Sequence, residues 1–302
     1  MSASRLLATS LALIAALGLA ACSPGGKSPI SLPTKLPFKL PHIGAQDFDP
    51  DKLESAIDAS FGGVGTCVVI DDAASGGELY RYNSNTACDR RLPPCSTFKI
   101  ANSLIGLDAG VVTPTTVFKW DGKPQPIKAW EQDADMRRAF KESIVWWYQR
   151  VAQQVGADAY RERLKAFDYG NKAPDGPLTT FWLGPAQGGS LAISTREQAA
   201  FLHRLYAGRL PVKPESLKYV ESIMVDEIRN GSVMSGKTGT CDSAADGSRQ
   251  VGWWVGRLKT PRRDYVFAAS LESASDTSLP GIEIQQRVKT AFAKAGLWPP
   301  AA

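Results

Sequence analysis

The residues best able to carry out chemistry in this chain of 302 residues are a serine and a lysine three positions apart. Ser96-Thr97-Phe98-Lys99 is the only S-x-x-K in the sequence, and residues 96–109 have the apolar pattern of a helix buried on nearly all sides. Ser96 and Lys99 therefore share one helical face, one turn apart. A lysine among apolar groups has a lowered pKa, so its neutral amine can serve as the base that activates the serine as a nucleophile. Because an isolated S-x-x-K is usually a serine N-cap followed by a solvated lysine, a second motif is needed.

The second motif is Lys237-Thr238-Gly239-Thr240, on a predicted strand over residues 232–240. The lysine and threonine side chains can hold a carboxylate, and the glycine lets a substrate approach the strand closely. Lys-Thr-Gly alone is a common turn composition. An S-x-x-K on a helix followed by K-T-G on a strand resembles the combined signature of serine β-lactamases and penicillin-binding proteins.

The sequence around both motifs resembles the class D β-lactamases over roughly residues 60–295. The resembling segments, in the order the family has them, are PPCSTFKIANSLIGLDAG (93–110), Ser143-Ile144-Val145, Tyr169-Gly170-Asn171, Phe181-Trp182-Leu183-Gly184, SLAISTREQAAFLHRLY (190–206) and Gly252-Trp253-Trp254-Val255-Gly256. The resemblance implies a β-lactamase/transpeptidase-like fold, with a sheet flanked by helices plus a mainly helical region. It also implies hydrolysis of β-lactam amides.

The resemblance assigns the nucleophile and its base. Ser96 is expected to be acylated, and Lys99 to act as general base in the form of an N-carboxylated lysine made with CO2. An apolar pocket keeps the amine neutral, so that it can react with CO2 and give a carboxylate-like base one turn from the hydroxyl. Trp182 is expected to donate its indole N–H to that carbamate, with Val145 as a second supporting residue. No bound cofactor and no metal are expected.

The remaining site residues are carried over in the same way. Ser143 is expected to relay a proton toward the leaving nitrogen, and Lys237 to support the electrostatics of the site. Thr238 is expected to bind the substrate carboxylate, with Gly239 and Thr240 lining the same strand. The backbone N–H groups of the nucleophile and of Thr240 are expected to form the oxyanion hole.

In two places the sequence departs from the family pattern or leaves a role open. The family usually has an arginine near the last helix that binds the substrate carboxylate, whereas residues 279–286 contain none and the nearest is Arg287. Tyr169-Gly170-Asn171 is assigned to the architecture of the site, and contact of Tyr169 or Asn171 with substrate stays open.

The chain has five cysteines, of which Cys22 lies in the N-terminal segment. In an exported protein the other four tend to pair, and four cysteines allow three connectivities that the sequence alone does not separate. The resemblance adds a constraint, because an oxyanion hole requires the nucleophile helix to face the end of the K-T-G strand. Cys95 precedes the nucleophile and Cys241 follows Thr240, so we expect a Cys95–Cys241 disulfide. That leaves Cys67 and Cys88, which flank the first hairpin and could close its ends.

The elements that must position these residues follow from apolar periodicity and turn residues. Predicted helices occupy residues 49–60, 96–109, 133–155, 158–167, 195–207, 214–229 and 281–295. Predicted strands occupy residues 64–70, 78–82, 232–240, 250–257 and 265–270. Strands at both ends with a helical insertion at about 111–230 indicate an α+β fold in which early and late strands share one sheet.

The N-terminus has the pattern of an exported lipoprotein. Residues 6–19 are apolar, follow Arg5 and run into Leu19-Ala20-Ala21-Cys22, which resembles a bacterial lipobox. We expect residues 1–21 to be a signal peptide, Cys22 to be lipidated and residues 22–46 to be a proline-rich tether to a catalytic domain at 47–302. An ordinary signal peptide with an incidental Cys22 is the alternative. The expected location is the periplasm, anchored to the outer membrane.

Composition and charge exclude several classes of function. With 43% hydrophobic and 22% charged residues the chain is globular in type. Its two histidines argue against a Ser-His-Asp triad or a histidine-based metal site. Four basic residues and no acidic one precede residue 47, so the net charge of +5 belongs mostly to the tail. A nearly neutral folded part does not predict a nucleic-acid-binding face.

Two other functions fit the same serine and lysine motifs. A penicillin-binding transpeptidase or carboxypeptidase shares them but acts on peptidoglycan peptides and deacylates β-lactams slowly. A β-lactam receptor traps the acyl-enzyme and signals through several membrane spans, which this sequence does not show. Trp182 and the Y-G-N element favour the lactamase, and a binding-only lipoprotein is the remaining alternative.

Overall fold

A six-stranded antiparallel sheet organises the structure, a computed structural model that describes residues 48–61, 65–83, 86–275 and 280–300. The strands are β1 (Gly65–Asp72), β2 (Glu78–Asn83), β3 (Val225–Arg229), β4 (Ser232–Asp242), β5 (Arg249–Lys259) and β6 (Asp264–Ala274). Their order across the sheet is β2-β1-β6-β5-β4-β3, so the early hairpin joins the late strands. The predicted signal peptide, Cys22 and the tether lie outside the described residues.

Helices cover both faces of this sheet. They are α1 (Pro50–Phe61), α2 (Lys99–Asp108), α3 (Met136–Lys141), α4 (Val145–Val155), α5 (Ala157–Ala166), α6 (Thr195–Tyr206), α7 (Pro214–Met224) and α8 (Gly281–Lys294). The predicted α+β fold is therefore confirmed. The nucleophile segment begins with a 3₁₀ turn at Cys95–Phe98 that continues directly into α2.

The sheet separates two hydrophobic cores, because alternate residues of each strand point to opposite faces. Val69 and Trp253 belong to the core beneath the helical region, whereas Val68 and Trp254 belong to the core covered by α1 and α8. Strands buried on both faces read as continuous apolar runs, which explains why β5 and β6 were readily predicted.

Two predicted helices are corrected by the structure. The helix predicted over 214–229 ends at Met224, and residues 225–229 form the edge strand β3, paired with β4. Asn230 and Gly231 both have positive φ, at 47° and 74°, which makes the Asn-Gly turn that joins two hairpin strands. The Asn-Gly dipeptide is a hairpin signal in the sequence, but the apolar periodicity of residues 214–229 favoured a helix.

The helix predicted over 133–155 is two helices, α3 and α4, separated by a turn at residues 142–144. Ser143 adopts φ +60°, a left-handed conformation that a helix interior excludes. The indole N–H of Trp130 donates to the carbonyl of Glu142 at 2.9 Å, which fixes the turn. The break therefore falls on a residue assigned a catalytic role.

Candidate active site

Ser96 and Lys99 meet at the start of the nucleophile helix. Lys99 Nζ donates to Ser96 Oγ at 2.8 Å, and the lysine side chain is completely buried. Burial, followed by the charge of Lys237, holds the pKa of Lys99 well below its usual value. A lysine amine that stays neutral can accept a proton or react with an electrophile, and this one lies within hydrogen-bond distance of a hydroxyl.

The surroundings of Lys99 are aromatic. Its Nζ lies 5.4 Å from the ring centroid of Tyr148. Phe98, next in sequence, packs against the rings of Tyr160, Tyr169, Phe181 and Trp182, with centroids 5.3–6.1 Å apart. This cluster excludes water, which is the physical cause of the lowered pKa.

Trp182 brings a polar atom into this apolar cluster. Its carbonyl accepts a hydrogen bond from the N–H of Cys95 at 3.0 Å, which ties its loop to the residue before the nucleophile. Its Nε1 is buried and has no hydrogen-bond partner among the described residues. Because buried indole N–H groups are normally paired, this donor is suited to an acceptor that the chain alone does not supply.

The K-T-G strand supplies a second buried lysine. Lys237, only 4% exposed, donates from Nζ to the carbonyl oxygen of Thr238 at 3.0 Å and to its hydroxyl at 3.2 Å. Burial lowers the pKa of Lys237 to about 7, with Asp226 opposing the shift and Lys141 adding to it. A modest change in its surroundings can therefore switch its charge near neutral pH.

Strand β4 approaches the nucleophile segment closely because of Gly239. A Cβ at this position would lie 3.1 Å from the carbonyl oxygen of Pro94 and 3.2 Å from the amide nitrogen of Thr97. The next residue, Thr240, accepts a hydrogen bond on its hydroxyl from the N–H of Gly281 at 2.6 Å. The strand thus runs directly past the residues on either side of Ser96.

These elements enclose a cleft of about 660 Å³. Its lining includes six sequence-predicted catalytic and binding residues and the disulfide cysteine that follows them on β4: Ser96, Ser143, Val145, Thr238, Gly239, Thr240 and Cys241. Lys99, Lys237 and Trp182 lie behind this lining as buried groups. The structure therefore brings the predicted site residues to one location.

Sequence reasoning missed several residues that line the cleft. They are mostly amides and apolar side chains from the segment before α3 and from the ends of β4, β5 and α8: Gln125, Ile127, Trp130, Asp242, Gln250 and Ile282. Ile127 and Ile282 are 48% and 56% exposed, which is unusual for isoleucine and would have been the signal once the fold was known.

Arg287 does not enter the cleft. Its Nε pairs with Glu283 at 2.8 Å, a second guanidinium nitrogen donates to the carbonyl of Ser60, and the group lies over the ring of Phe61. Among the described residues that line the cleft there is no lysine or arginine, whereas Asp242 is present. Any recognition of a substrate carboxylate by Arg287 is inconsistent with this placement.

The Y-G-N element supports the site from behind. Tyr169 is completely buried against the rings of Phe98 and Phe201, while the amide of Asn171 bonds the backbone of Ser190 and Ala192. Gly170 has φ +52°, and a Cβ there would lie 2.2 Å from a carbonyl oxygen. These contacts fit the architectural role expected of the element.

The structure contains both expected disulfides. Cys95 is joined to Cys241, which places a covalent link between the residue before Ser96 and the residue after Thr240. Cys67 is joined to Cys88, which connects β1 to the segment that follows β2. The first bridge lies at the rim of the cleft.

The described part of the chain has neither a metal-site pattern nor a membrane span. No group of three or more His, Cys, Asp and Glu side chains in it is arranged to hold a metal ion. None of its helices combines the length and apolarity needed to cross a bilayer.

Comparison with known proteins places this fold and site in one class. Residues 40–293 match the family described as the penicillin binding protein transpeptidase domain. The β-lactamase OXA-20 of Pseudomonas aeruginosa is 35% identical over 216 residues, which cover 71% of this chain and 77% of that protein. The β-lactamase OXA-10 of the same organism is 37% identical over 188 residues, 62% of this chain and 69% of that protein.

Solved structures agree. The BPu1 β-lactamase superposes with a TM-score of 0.72 at 30% identity, covering 81% of this chain and 98% of that chain. The class D β-lactamase from Bacillus subtilis superposes with a TM-score of 0.70 at 30% identity, covering 80% of this chain and 95% of that chain. The fold and the serine–lysine site thus place the chain in the class of the penicillin binding protein transpeptidase domains. Within that class, the chain belongs to the class D β-lactamases.

Proposed function

We propose that this protein hydrolyses β-lactam antibiotics through an acyl-enzyme on Ser96, with carboxylated Lys99 as the general base. The observation that carries the proposal is the 2.8 Å contact between Lys99 Nζ and Ser96 Oγ inside an aromatic pocket. The names and folds of the relatives support the same reaction. The alternative is a transpeptidase or receptor that is acylated by β-lactams but not turned over.

Carboxylation of Lys99 is the first step. The neutral amine attacks CO2, forming an N–C bond and losing one proton, so that the lysine ends in an anionic carbamate. An anion in an apolar pocket needs a hydrogen-bond donor to offset lost hydration. The unpartnered Nε1 of Trp182 fits that requirement. Val145, which lines the cleft, encloses the same region.

Acylation uses the two faces of the cleft. The carbamate of Lys99 takes the proton of Ser96, whose oxygen attacks the lactam carbonyl carbon. The N–H groups of Ser96 and Thr240 stabilise the resulting oxyanion, a contribution of about 3–4 kcal/mol per donor in other serine hydrolases. The C–N bond then breaks, and Ser143 relays the proton from the Lys99 carbamate to the leaving nitrogen, which restores the base. The φ of +60° at Ser143 holds its side chain on the cleft wall.

Substrate binding uses the K-T-G strand. The hydroxyl of Thr238 receives the substrate carboxylate, and Lys237 lies behind it. An arriving carboxylate favours the charged form of Lys237, whose pKa of about 7 lets it take up a proton when substrate binds.

Deacylation repeats the proton transfer with water. The Lys99 carbamate accepts a proton from a water molecule, whose oxygen attacks the ester carbon. The C–O bond to Ser96 then breaks, the proton passes from the carbamate to the serine oxygen, and the opened lactam is released. Without CO2 the amine of Lys99 still contacts Ser96 Oγ at 2.8 Å and can serve acylation, whereas activation of water uses the carbamate. Loss of CO2 should therefore slow deacylation more than acylation and let the acyl-enzyme accumulate.

The test is turnover of nitrocefin by the purified protein in CO2-depleted buffer and in buffer with added bicarbonate. We expect many turnovers per molecule, with a rate that rises on addition of bicarbonate. Lys99→Ala should abolish turnover in both buffers. Acylation by one equivalent without turnover in bicarbonate would instead identify a transpeptidase or receptor, and unchanged turnover in Lys99→Ala would remove Lys99 from its role.

We also propose that the protein is exported, lipidated at Cys22 and held at the outer membrane by residues 22–46, with residues 47–302 as the catalytic domain. The support is the apolar segment 6–19, the Leu-Ala-Ala-Cys sequence and the prolines that follow it. Cys22→Ser should release β-lactamase activity from the membrane fraction of the producing cells. Retention of that activity in the membrane fraction would contradict the lipid anchor.

A further inference from the structure

A second cleft, of about 750 Å³, lies between the β1–β2 hairpin, the N-terminal part of α6 and the segment before the nucleophile. It shares no lining residue with the active-site cleft. Its lining is mostly charged: Val69, Asp71, Gly76, Glu78, Asp89, Arg91, Ser194, Arg196, Glu197 and Ala200. The catalytic cycle described above uses none of these side chains.

Asp71 is the unusual member of this set. It lies on the same face of β1 as Val69, a face that otherwise packs into the core. Its side chain is only 8% exposed, and its Oδ1 is fully buried with no hydrogen-bond partner among the described residues. An unpartnered buried carboxylate oxygen is costly, so its retention at the bottom of a cleft needs an explanation.

The other charges at the cleft are already paired. Arg91 Nε lies 3.0 Å from both carboxylate oxygens of Glu197, and Arg196 Nη1 lies 3.1 Å from Asp89 Oδ1. Glu78, the cross-strand neighbour of Asp71 on β2, lies 3.1 Å from Arg81 Nε, outside the lining, and 3.9 Å from Arg196 Nε. The lining therefore holds four acids and two arginines, and Asp71 is the acid that forms no ion pair within 4 Å among the described residues.

We propose that this cleft binds a small primary amine, whose ammonium group donates hydrogen bonds to the carboxylate of Asp71. An ammonium supplies both the opposite charge and the N–H donors that Asp71 lacks. The apolar wall formed by Val69 and Ala200 suits a short alkyl chain. A metal ion is a poorer fit, because the neighbouring carboxylates are engaged with arginines.

Amine binding should change the protonation of the Asp71 carboxyl. Burial, with the charge of Glu78 adding to it and that of Arg196 opposing it, raises the pKa of Asp71 to about 7. The other charged groups facing the cleft are Asp89, Arg91 and Glu197, and the His203 ring of α6 lies against Gly76 behind the hairpin turn. A bound ammonium favours the ionised carboxyl, so amine binding near pH 7 should release part of a proton.

The experiment is isothermal titration calorimetry of the full chain with butylammonium. It is run at pH 7 in two buffers that contain no primary amine and differ in ionisation enthalpy. We expect saturable binding of one equivalent, with release of a fraction of a proton. Asp71→Asn, which keeps the shape and removes the charge, should weaken binding at least tenfold. The matched control is Asp89→Asn, a lining acid already paired with Arg196, which should change the affinity less than threefold.

Tetramethylammonium, which carries the charge but no N–H, should bind at least tenfold more weakly than butylammonium. Nitrocefin turnover reports that both variants are folded, since neither position belongs to the active site. Absence of saturable butylammonium binding, equal binding by Asp71→Asn, or equal binding of tetramethylammonium would each overturn the proposal. As a second measurement, the carboxyl carbon resonance of Asp71 should shift toward its ionised value on saturation with butylammonium, and no shift would also contradict it.

Discussion

At the scale of single residues, the site depends on polar atoms that the fold buries without a full set of partners. Burial holds the pKa of Lys99 well below its usual value, and Trp182 presents a donor with no acceptor among the described residues. Either feature alone would destabilise the fold. Together they fit the carbamate proposed on Lys99, which would accept a hydrogen bond from the indole N–H.

Replacing Trp182 by Phe should raise the requirement for bicarbonate. The substitution removes the N–H but keeps an aromatic ring, and a hydrogen bond to a charged group contributes about 1.5–3 kcal/mol. The bicarbonate concentration giving half-maximal nitrocefin turnover should therefore rise at least tenfold. The matched control is Trp254→Phe, another buried indole without a partner but in the opposite core. If the two variants need equal bicarbonate, Trp182 does not contact the carbamate.

Replacing Asp242 by Asn should improve the binding of anionic substrates. Asp242 lines a cleft in which the described residues include no lysine or arginine, so its charge opposes the substrate carboxylate. Charges separated across a solvated cleft interact weakly, so we expect KM to fall by about two- to threefold with kcat unchanged. Asp246→Asn, an acid outside the cleft lining, should leave KM unaltered. A higher KM in Asp242→Asn would show that this carboxylate helps to bind substrate.

At the scale of elements, the Cys95–Cys241 disulfide joins the nucleophile segment to strand β4. The two residues flank the proposed oxyanion donors, Ser96 and Thr240. The N–H of Cys95 also donates to Trp182, so the same point connects the loop that carries the indole. A covalent link here constrains the spacing between the two N–H groups that we propose as oxyanion donors.

Removing the Cys95–Cys241 disulfide should slow the acylation of Ser96, an effect that loss of stability alone would not produce. In the double variant Cys95→Ala/Cys241→Ala we expect the acylation rate to fall about tenfold, part of the full cost of an oxyanion donor. The matched control is Cys67→Ala/Cys88→Ala, which removes the other bridge and should lower stability without changing acylation. Stopped-flow measurement of single-turnover acylation distinguishes the two double variants. Equal acylation rates in both double variants would refute the positioning role.

At the scale of the whole molecule, the buried lysines make stability depend on pH. The pKa of Lys237 is about 7 in the folded protein and near 10.5 in an unfolded chain. Between these values the unfolded chain binds a proton that the folded protein does not. The stability that neutral Lys237 contributes is therefore complete above pH 10.5 and is lost as pH falls toward 7.

We therefore expect Lys237→Met to flatten the rise in unfolding free energy between pH 7 and pH 9. A full proton difference contributes about 1.4 kcal/mol per pH unit. Urea unfolding in CO2-depleted buffer at pH 7, 8 and 9 measures the slope, and Lys218→Met at an exposed position of α7 is the control. An equal slope in wild type and Lys237→Met would contradict the depressed pKa.

Local patterns predicted much of the fold and site. Ser96 and Lys99 share a helical face because of their spacing, and continuous apolar runs define β5 and β6. The features that the sequence did not predict depend on contacts between residues far apart in the chain. The Ser143 turn is held by Trp130, strand β3 is formed by pairing with β4, and Asp71 shares its cleft with residues of α6. Helical periodicity contains no information on such neighbours, which only the topology brings together.

The most direct test of the central claim, a Ser96 acyl-enzyme turned over by carboxylated Lys99, follows the acyl group by intact-protein mass spectrometry during reaction with a penicillin. We predict that one equivalent of acyl adduct accumulates on Ser96 in CO2-depleted buffer and clears when bicarbonate is added. An adduct that persists equally with and without bicarbonate, or hydrolysis by Ser96→Ala, would contradict the account.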